Sequence, residues 1–170
     1  MKKIAVTGPE STGKSAIAEG LSKYFNCLMV PEYARAYLEK LDRAYNFDDI
    51  TEIAKGQAKL EDLVKKTEPF LFCDTDMLVC KIWQEYKYGH CDPWIENAFL
   101  TRQYDLFLLC NIDLPWEYDP LREHPDSRAE LFTLYEAALI GANKPYVIIS
   151  GEGDVRLQMA ISEINRFCKI

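Results

Sequence analysis

Residues 8–15 read Gly-Pro-Glu-Ser-Thr-Gly-Lys-Ser, and these residue types at this spacing suit the binding of a polyphosphate. Gly8 and Gly13 let the backbone curl until successive N–H groups converge on one anion, and Glu10, Ser11 and Thr12 lie on that curve. Lys14 is spaced to reach the β- and γ-phosphates of a nucleotide, and the Ser15 hydroxyl to ligate magnesium. A short apolar run precedes the motif and a helical pattern follows it. The helix N-terminus adds its own attraction for anions. The plain alternative, a glycine-rich turn that binds nothing, is disfavoured by the complete GxxxxGK[ST] spacing in this context. The ligands implied are ATP and Mg2+.

A phosphate loop that handles magnesium also needs an acidic residue ending a neighbouring strand. Phe70-Leu71-Phe72-Cys73-Asp74 has that form, four apolar residues and then a carboxylate, with Asp76 two positions later. Asp74 is read as the magnesium-side acid, whereas Asp76 is equally suited to contacting a substrate or capping the next helix. Val30-Pro31-Glu32 sets another carboxylate after a second apolar run, with Arg35 one turn on. Glu32 there can accept a proton from an acceptor hydroxyl or orient a sugar; the bland reading is an i, i+3 ion pair with Arg35. Two further arginines, Arg122 and Arg128, lie in Asp119-Pro120-Leu121-Arg122-Glu123-His124-Pro125-Asp126-Ser127-Arg128. Cations there can neutralise charge growing on a transferred phosphoryl group. The helix dipole opposes Arg128 in a first turn, which favours a ligand role over a solvated one.

The elements that must position these residues follow from periodicity. Apolar runs at 3–7, 27–30, 70–73, 104–110 and 146–149 read as strands. Helical spacing covers about 14–25, 32–40, 48–66, 77–86, 93–101, 127–140 and 154–167, with Asp48 as the expected N-cap of the third helix and Gly141 as the stop of the sixth. Strands alternating with helices imply βαβ units, a mostly parallel sheet and right-handed crossovers. Such a sheet binds its ligand beyond the carboxyl ends of its strands, where the motifs fall. No repeat, linker or low-complexity segment interrupts 170 residues, so a single domain over 1–170 is expected, with a proline-marked lid at about 115–128.

Composition narrows the classes. A net charge of −7 argues against a nucleic-acid binder. No apolar run approaches the ~20 residues of a membrane span. The six cysteines form no CxxC pair and only two histidines are present, so a zinc site is not expected and the thiols read as buried and reduced. A cytoplasmic location is the simplest expectation. A GTPase is disfavoured, because Asn143-Lys144 is followed by Pro145 and Asp74 by Thr75-Asp76-Met77, so neither NKxD nor DxxG is present. Ten tyrosines and three tryptophans offer many candidates for stacking on a heteroaromatic acceptor, and spacing does not choose among them. Oligomeric state is not readable.

GPESTGKS at 8–15, PEYARAYLE at 31–39, FCDTD at 72–76 and DPLREHPDSR at 119–128 together resemble the NadR-like ribosylnicotinamide kinase domain of the P-loop kinase and AAA-type ATPase families. The resemblance runs over nearly the whole chain. It implies a three-layer α/β/α P-loop NTPase fold with five parallel strands in order 2-3-1-4-5. It also implies transfer of the ATP γ-phosphoryl group to the 5′-hydroxyl of nicotinamide riboside, giving nicotinamide mononucleotide. By similarity Lys14 and Ser15 bind phosphate and magnesium, Asp74 lies in the magnesium shell or acts as base, Glu32, Arg35 and Asp76 lie near the ribose, and Arg122 and Arg128 near the phosphates. The phosphate loop begins at residue 8 and no nucleotidyltransferase HxGH motif is present, so a unit without the adenylyltransferase domain is expected. The alternatives are a kinase for another nucleoside or nucleotide, and a nucleotide-binding regulatory ATPase.

Overall fold

The computed structural model describes residues 1–65 and 67–169. Along them run β1 (Lys2–Thr7), α1 (Lys14–Phe25), β2 (Leu28–Val30), α2 (Tyr33–Leu38), α3 (Phe47–Asp62), β3 (Phe70–Asp74), α4 (Met77–Tyr88), α5 (Pro93–Thr101), β4 (Leu106–Cys110), α6 (Arg128–Gly141), β5 (Tyr146–Ile149) and α7 (Gly153–Cys168). The strands form one parallel sheet in the order β2-β3-β1-β4-β5, the order the resemblance implied.

Alternation along the strands builds two cores. Ile4 and Val6, Phe70 and Phe72, and Leu106, Leu108 and Cys110 pack on one face against Ile17 and Leu21 of α1 and Ala160, Ile161 and Ile164 of α7. Ala5, Leu71, Cys73, Phe107 and Leu109 point to the other face, against residues of α3, α4, α5 and α6. Successive strand side chains point to opposite faces, so a nearly continuous apolar strand is the signature of a sheet covered on both sides. The result is three layers.

Several boundaries differ from the periodicity. The N-cap of α3 is Asn46, not Asp48: its side chain accepts from Asp49 N–H, and the Asp49 carboxylate accepts from Asn46 N–H. This reciprocal capping box satisfies two otherwise orphaned donors, which a lone Asp48 cap would not. The helix ends at Asp62, short of the expected 66, and Lys66 lies outside the described residues. Gly141 is the last residue of α6 rather than its stop. Tyr104, expected in β4, precedes the strand and stays buried, its hydroxyl donating to Glu61 over 2.8 Å. All six cysteines are unbridged, four of them buried.

Candidate active site

The carboxyl ends of β1 and β3 are level, since Val6 pairs with Asp74 and Thr75 N–H donates to Val6 O at 3.2 Å. The loop 8–13 therefore leaves β1 directly beside Asp74. Gly8 has φ 130, and a Cβ there would lie 3.0 Å from Cys110 O, so glycine lets the loop cross the end of β4. Gly13, at φ 76, turns the chain into α1. Inside the curve Pro9 O is gripped twice, by the Thr12 hydroxyl and by Lys14 Nζ, each at 2.7 Å. The loop is thus held in its curl by its own side chains.

Asp74 is 4% exposed and Oδ1 has no hydrogen-bond partner among the described residues. Burial pushes its carboxyl above the usual range, with Ser15 and Lys14 drawing it back. A buried carboxylate oxygen without a partner, next to a serine hydroxyl and a lysine, is a donor set that suits a hydrated divalent cation. Among the described residues no group of three or more His, Cys, Asp or Glu side chains could hold a metal unaided, so such an ion would depend on phosphate oxygens and water as well. Asp76 is fully buried and its Oδ1 accepts from Leu78 N–H at 2.6 Å and Val79 N–H. Of its two readings, geometry provides the cap on α4.

Glu32 occupies the N-cap position of α2 without a side-chain cap bond, and Arg35 follows on that helix. Arg35 Nε lies 4.0 Å from Glu32, while its Nη2 donates to Asp119 at 3.0 Å, so the local ion pair is weak and the arginine reaches across to the 119–128 segment. A cavity of about 340 Å³ joins residues 8–15 to Glu32 and Arg35. Val79, Ile82 and Leu131 make its wall apolar, and Trp83, Tyr86 and Tyr135 add aromatic rings to it.

Residues of the 117–128 segment contact the phosphate loop. Ser11 Oγ accepts from Glu117 N–H at 2.9 Å and from Arg122 Nη1 at 3.3 Å. The Glu10 carboxylate accepts the N–H groups of Glu123, at 3.1 Å, and of His124. Arg128 Nη1 donates to Ser11 O at 3.1 Å and to Leu114 O at 2.9 Å. Both arginines thus stand at the phosphate loop, holding its backbone and hydroxyl. On the far side the Glu123 carboxylate meets Tyr45 and Lys87, and Trp83 Nε1 donates to Tyr45 at 2.9 Å. Burial, with Glu123 adding to it, pushes the Tyr45 phenol up to about 12.

Two residues escaped the sequence reasoning. Gln57, 1% exposed, accepts from Tyr33 N–H at 2.8 Å and donates to Asp74 O at 3.5 Å, tying the Glu32 end of α2 to the Asp74 end of β3. Arg156, 2% exposed, ties α7 to the phosphate loop. The signal for both was a polar residue inside an apolar stripe, Gln57 among Ile50, Ile53 and Ala54, and Arg156 four residues before Ala160.

The sequence profile of the AAA domain family matches residues 3–156. The chain belongs to this family. Within it, this AAA domain is 30% identical over 127 residues to the Trifunctional NAD biosynthesis/regulator protein NadR of Salmonella typhimurium and likewise to that of Escherichia coli. The match takes in 72% of the AAA domain chain and 31% of each relative, so it spans under a third of their length. Its fold matches a NadR protein solved in complex with NR at a TM-score of 0.82 and 22% identity, covering 99% of this chain and 51% of that one. A deoxyadenosine kinase from M. mycoides shares the fold at a TM-score of 0.66 and 17% identity, covering 96% and 98%. Among the described residues no helix of the AAA domain is long and apolar enough to cross a membrane.

Proposed function

We propose that this chain is an ATP-dependent small-molecule kinase that transfers the γ-phosphoryl group of ATP to the 5′-hydroxyl of nicotinamide riboside, giving nicotinamide mononucleotide. The observation that carries the reading is the single cavity running from the phosphate loop to Glu32 and Arg35. A switch needs room for a nucleotide alone; a kinase needs a donor and an acceptor site in one enclosure. The choice of acceptor rests on the likeness to the NadR proteins.

In this reading Gly8, Glu10, Ser11, Thr12 and Gly13 form the cradle for the ATP phosphates, and Lys14 swings from Pro9 O to the phosphoryl group. Mg2+, held through Ser15 and Asp74, would neutralise charge on the phosphates. Glu32 accepts the proton of the attacking hydroxyl, and Arg35 fixes the acceptor beside it. Asp76 holds the start of α4 through Oδ1. Arg122 and Arg128 leave their contacts with Ser11 for the phosphate oxygens under a lid made by residues 115–128. Chemistry of this kind needs positioning and charge neutralisation more than covalent work by the protein. The chain acts as one domain, in the cytoplasm.

The test is an acceptor panel with the purified protein, magnesium and ATP. Nicotinamide riboside is expected to give the highest kcat/KM. An ordinary nucleoside turned over equally well or better would overturn the riboside assignment, while leaving the phosphotransferase reading in place.

A further inference from the structure

Arg156 lies outside every motif of the sequence, yet its guanidinium is nearly sealed from water and both of its terminal nitrogens are engaged. Nη2 donates to Thr12 O at 3.0 Å and to Asn111 O at 2.8 Å; Nη1 donates to Gly151 O at 2.9 Å and to the Asp113 carboxylate at 2.5 Å. Asn111 follows β4, Gly151 follows β5, and Thr12 belongs to the phosphate loop, so one side chain knots three chain segments at the carboxyl edge of the sheet. Asp113 balances the charge and accepts Gly151 N–H at 2.7 Å with its other oxygen. A lysine offers three donors from a single point and cannot reproduce this fork.

The contact with Thr12 has a consequence for the next amide. The peptide joining Thr12 to Gly13 is trans, so its C=O and N–H point to opposite sides. A carbonyl drawn toward Arg156 turns the Gly13 N–H away from Arg156. Gly13 itself lines the cavity. The guanidinium also polarises the peptide it grips, which strengthens the N–H as a donor to an anion. Ser11 O, one residue earlier, is held in the same manner by Arg128. Arg128 is the first residue of α6, at the end of the 119–128 segment, whereas Arg156 stands within the sixteen-residue helix α7.

We propose that Arg156 is a positioning residue for the phosphate cradle, holding the Thr12–Gly13 peptide so that the Gly13 N–H faces the nucleotide phosphates. It never touches the nucleotide, and its effect is selective for phosphate over base and ribose. The inference rests on the reading of residues 8–15 as a phosphate site.

The experiment is calorimetric titration of the folded wild-type and R156K proteins with ATP, inorganic tripolyphosphate and adenosine, in magnesium buffer. R156K is expected to bind ATP and tripolyphosphate about tenfold or more weakly, the scale of losing a charge-assisted contact, with adenosine binding unchanged. In turnover, KM for ATP rises while KM for the acceptor stays put. D113N, which keeps the guanidinium but removes its counter-charge, gives a smaller loss on the same two phosphate ligands and supplies the reading if R156K does not fold. Ethylguanidinium restores phosphate affinity to R156A, and ethylammonium at the same concentration does not. Wild-type phosphate affinity in R156K or D113N, or an equal loss for adenosine, overturns the proposal. A wild-type protein that binds neither ATP nor tripolyphosphate would instead overturn the phosphate-site reading beneath it.

Discussion

At the scale of single residues, some side chains face the cavity and others only support it. Glu32 faces it and Asp76 does not, although both are acids following an apolar strand. The difference is local: Asp76 spends Oδ1 on the first amides of α4, while Glu32 starts a short helix with no side-chain cap bond and so remains available to solvent and substrate. Glu32→Gln keeps the shape and removes the proposed base. Turnover is expected to fall by about 10²- to 10⁴-fold, the usual scale of general-base catalysis, with the ATP dissociation constant unchanged. Steady-state kinetics beside ATP titration checks this, and weakened ATP binding would misplace the residue. Glycine spacing, Lys14, Asp74 and Glu32 could be singled out in the sequence because the proposed chemistry asks for those types at those places. Arg156 and Gln57 could not, because most of their partners are backbone groups, which leave no mark on the sequence beyond a polar residue out of place on an apolar stripe.

At the scale of elements, α3 and the 115–128 segment carry the most consequence. Asp49, at the start of α3, accepts from Arg43 Nη1 at 2.6 Å, from Arg43 Nη2 and the Tyr37 hydroxyl at 2.9 Å each, and from Asn46 N–H at 2.8 Å. The Arg43 guanidinium, working against burial, holds its carboxyl well below the usual carboxylate range. A group depressed in the folded state stabilises above its unfolded pKa and loses that contribution as pH falls through the folded value. Asp49→Asn is therefore expected to lower the thermal midpoint at pH 7, and the gap from wild type should shrink below about pH 4. An equal gap at both pH values would contradict the sign. The same capping box explains why the helix start was misjudged: Asn46, Asp48 and Asp49 are all capping types, and only reciprocal geometry selects Asn46. For the proposed lid, Tyr45 is the far anchor, where Glu123, Lys87 and Trp83 meet. Tyr45→Phe removes the hydroxyl they share. ATP hydrolysis without acceptor should rise on the order of threefold and acceptor turnover should fall, as expected for a lid that admits water. Unchanged partition between hydrolysis and transfer would show that the anchor does not govern closure.

At the scale of the whole molecule, the two ends of the sheet do different work. The carboxyl ends carry the cavity. Near the opposite ends Glu61, with a side chain fully withdrawn from water, accepts from Lys3 Nζ and Arg102 Nη2 at 3.1 Å each and from the Tyr104 hydroxyl. This network ties the end of α3 to the start of β1 and to the approach to β4. Breaking one partner of a buried ion pair leaves the others uncompensated, so Glu61→Gln should cost about 3–5 kcal/mol in denaturant unfolding. Activity per folded molecule should be preserved, because none of these residues lines the cavity. Apolar runs separated by helices made a mostly parallel sheet legible, while the strand order came only from the family resemblance that the motifs carry. The separation of a stabilising end from a chemical end was not legible, because it depends on which side chains meet across the fold.

In the proposed reaction one enclosure holds both a phosphoryl donor and its acceptor. The most direct measurement follows ADP release from ATP and magnesium, with and without nicotinamide riboside, and identifies the product. Release that depends strongly on the riboside, with nicotinamide mononucleotide formed in equal amount, is the predicted result. Slow release indifferent to the riboside and to every other acceptor would contradict the claim and leave a nucleotide-binding switch in its place.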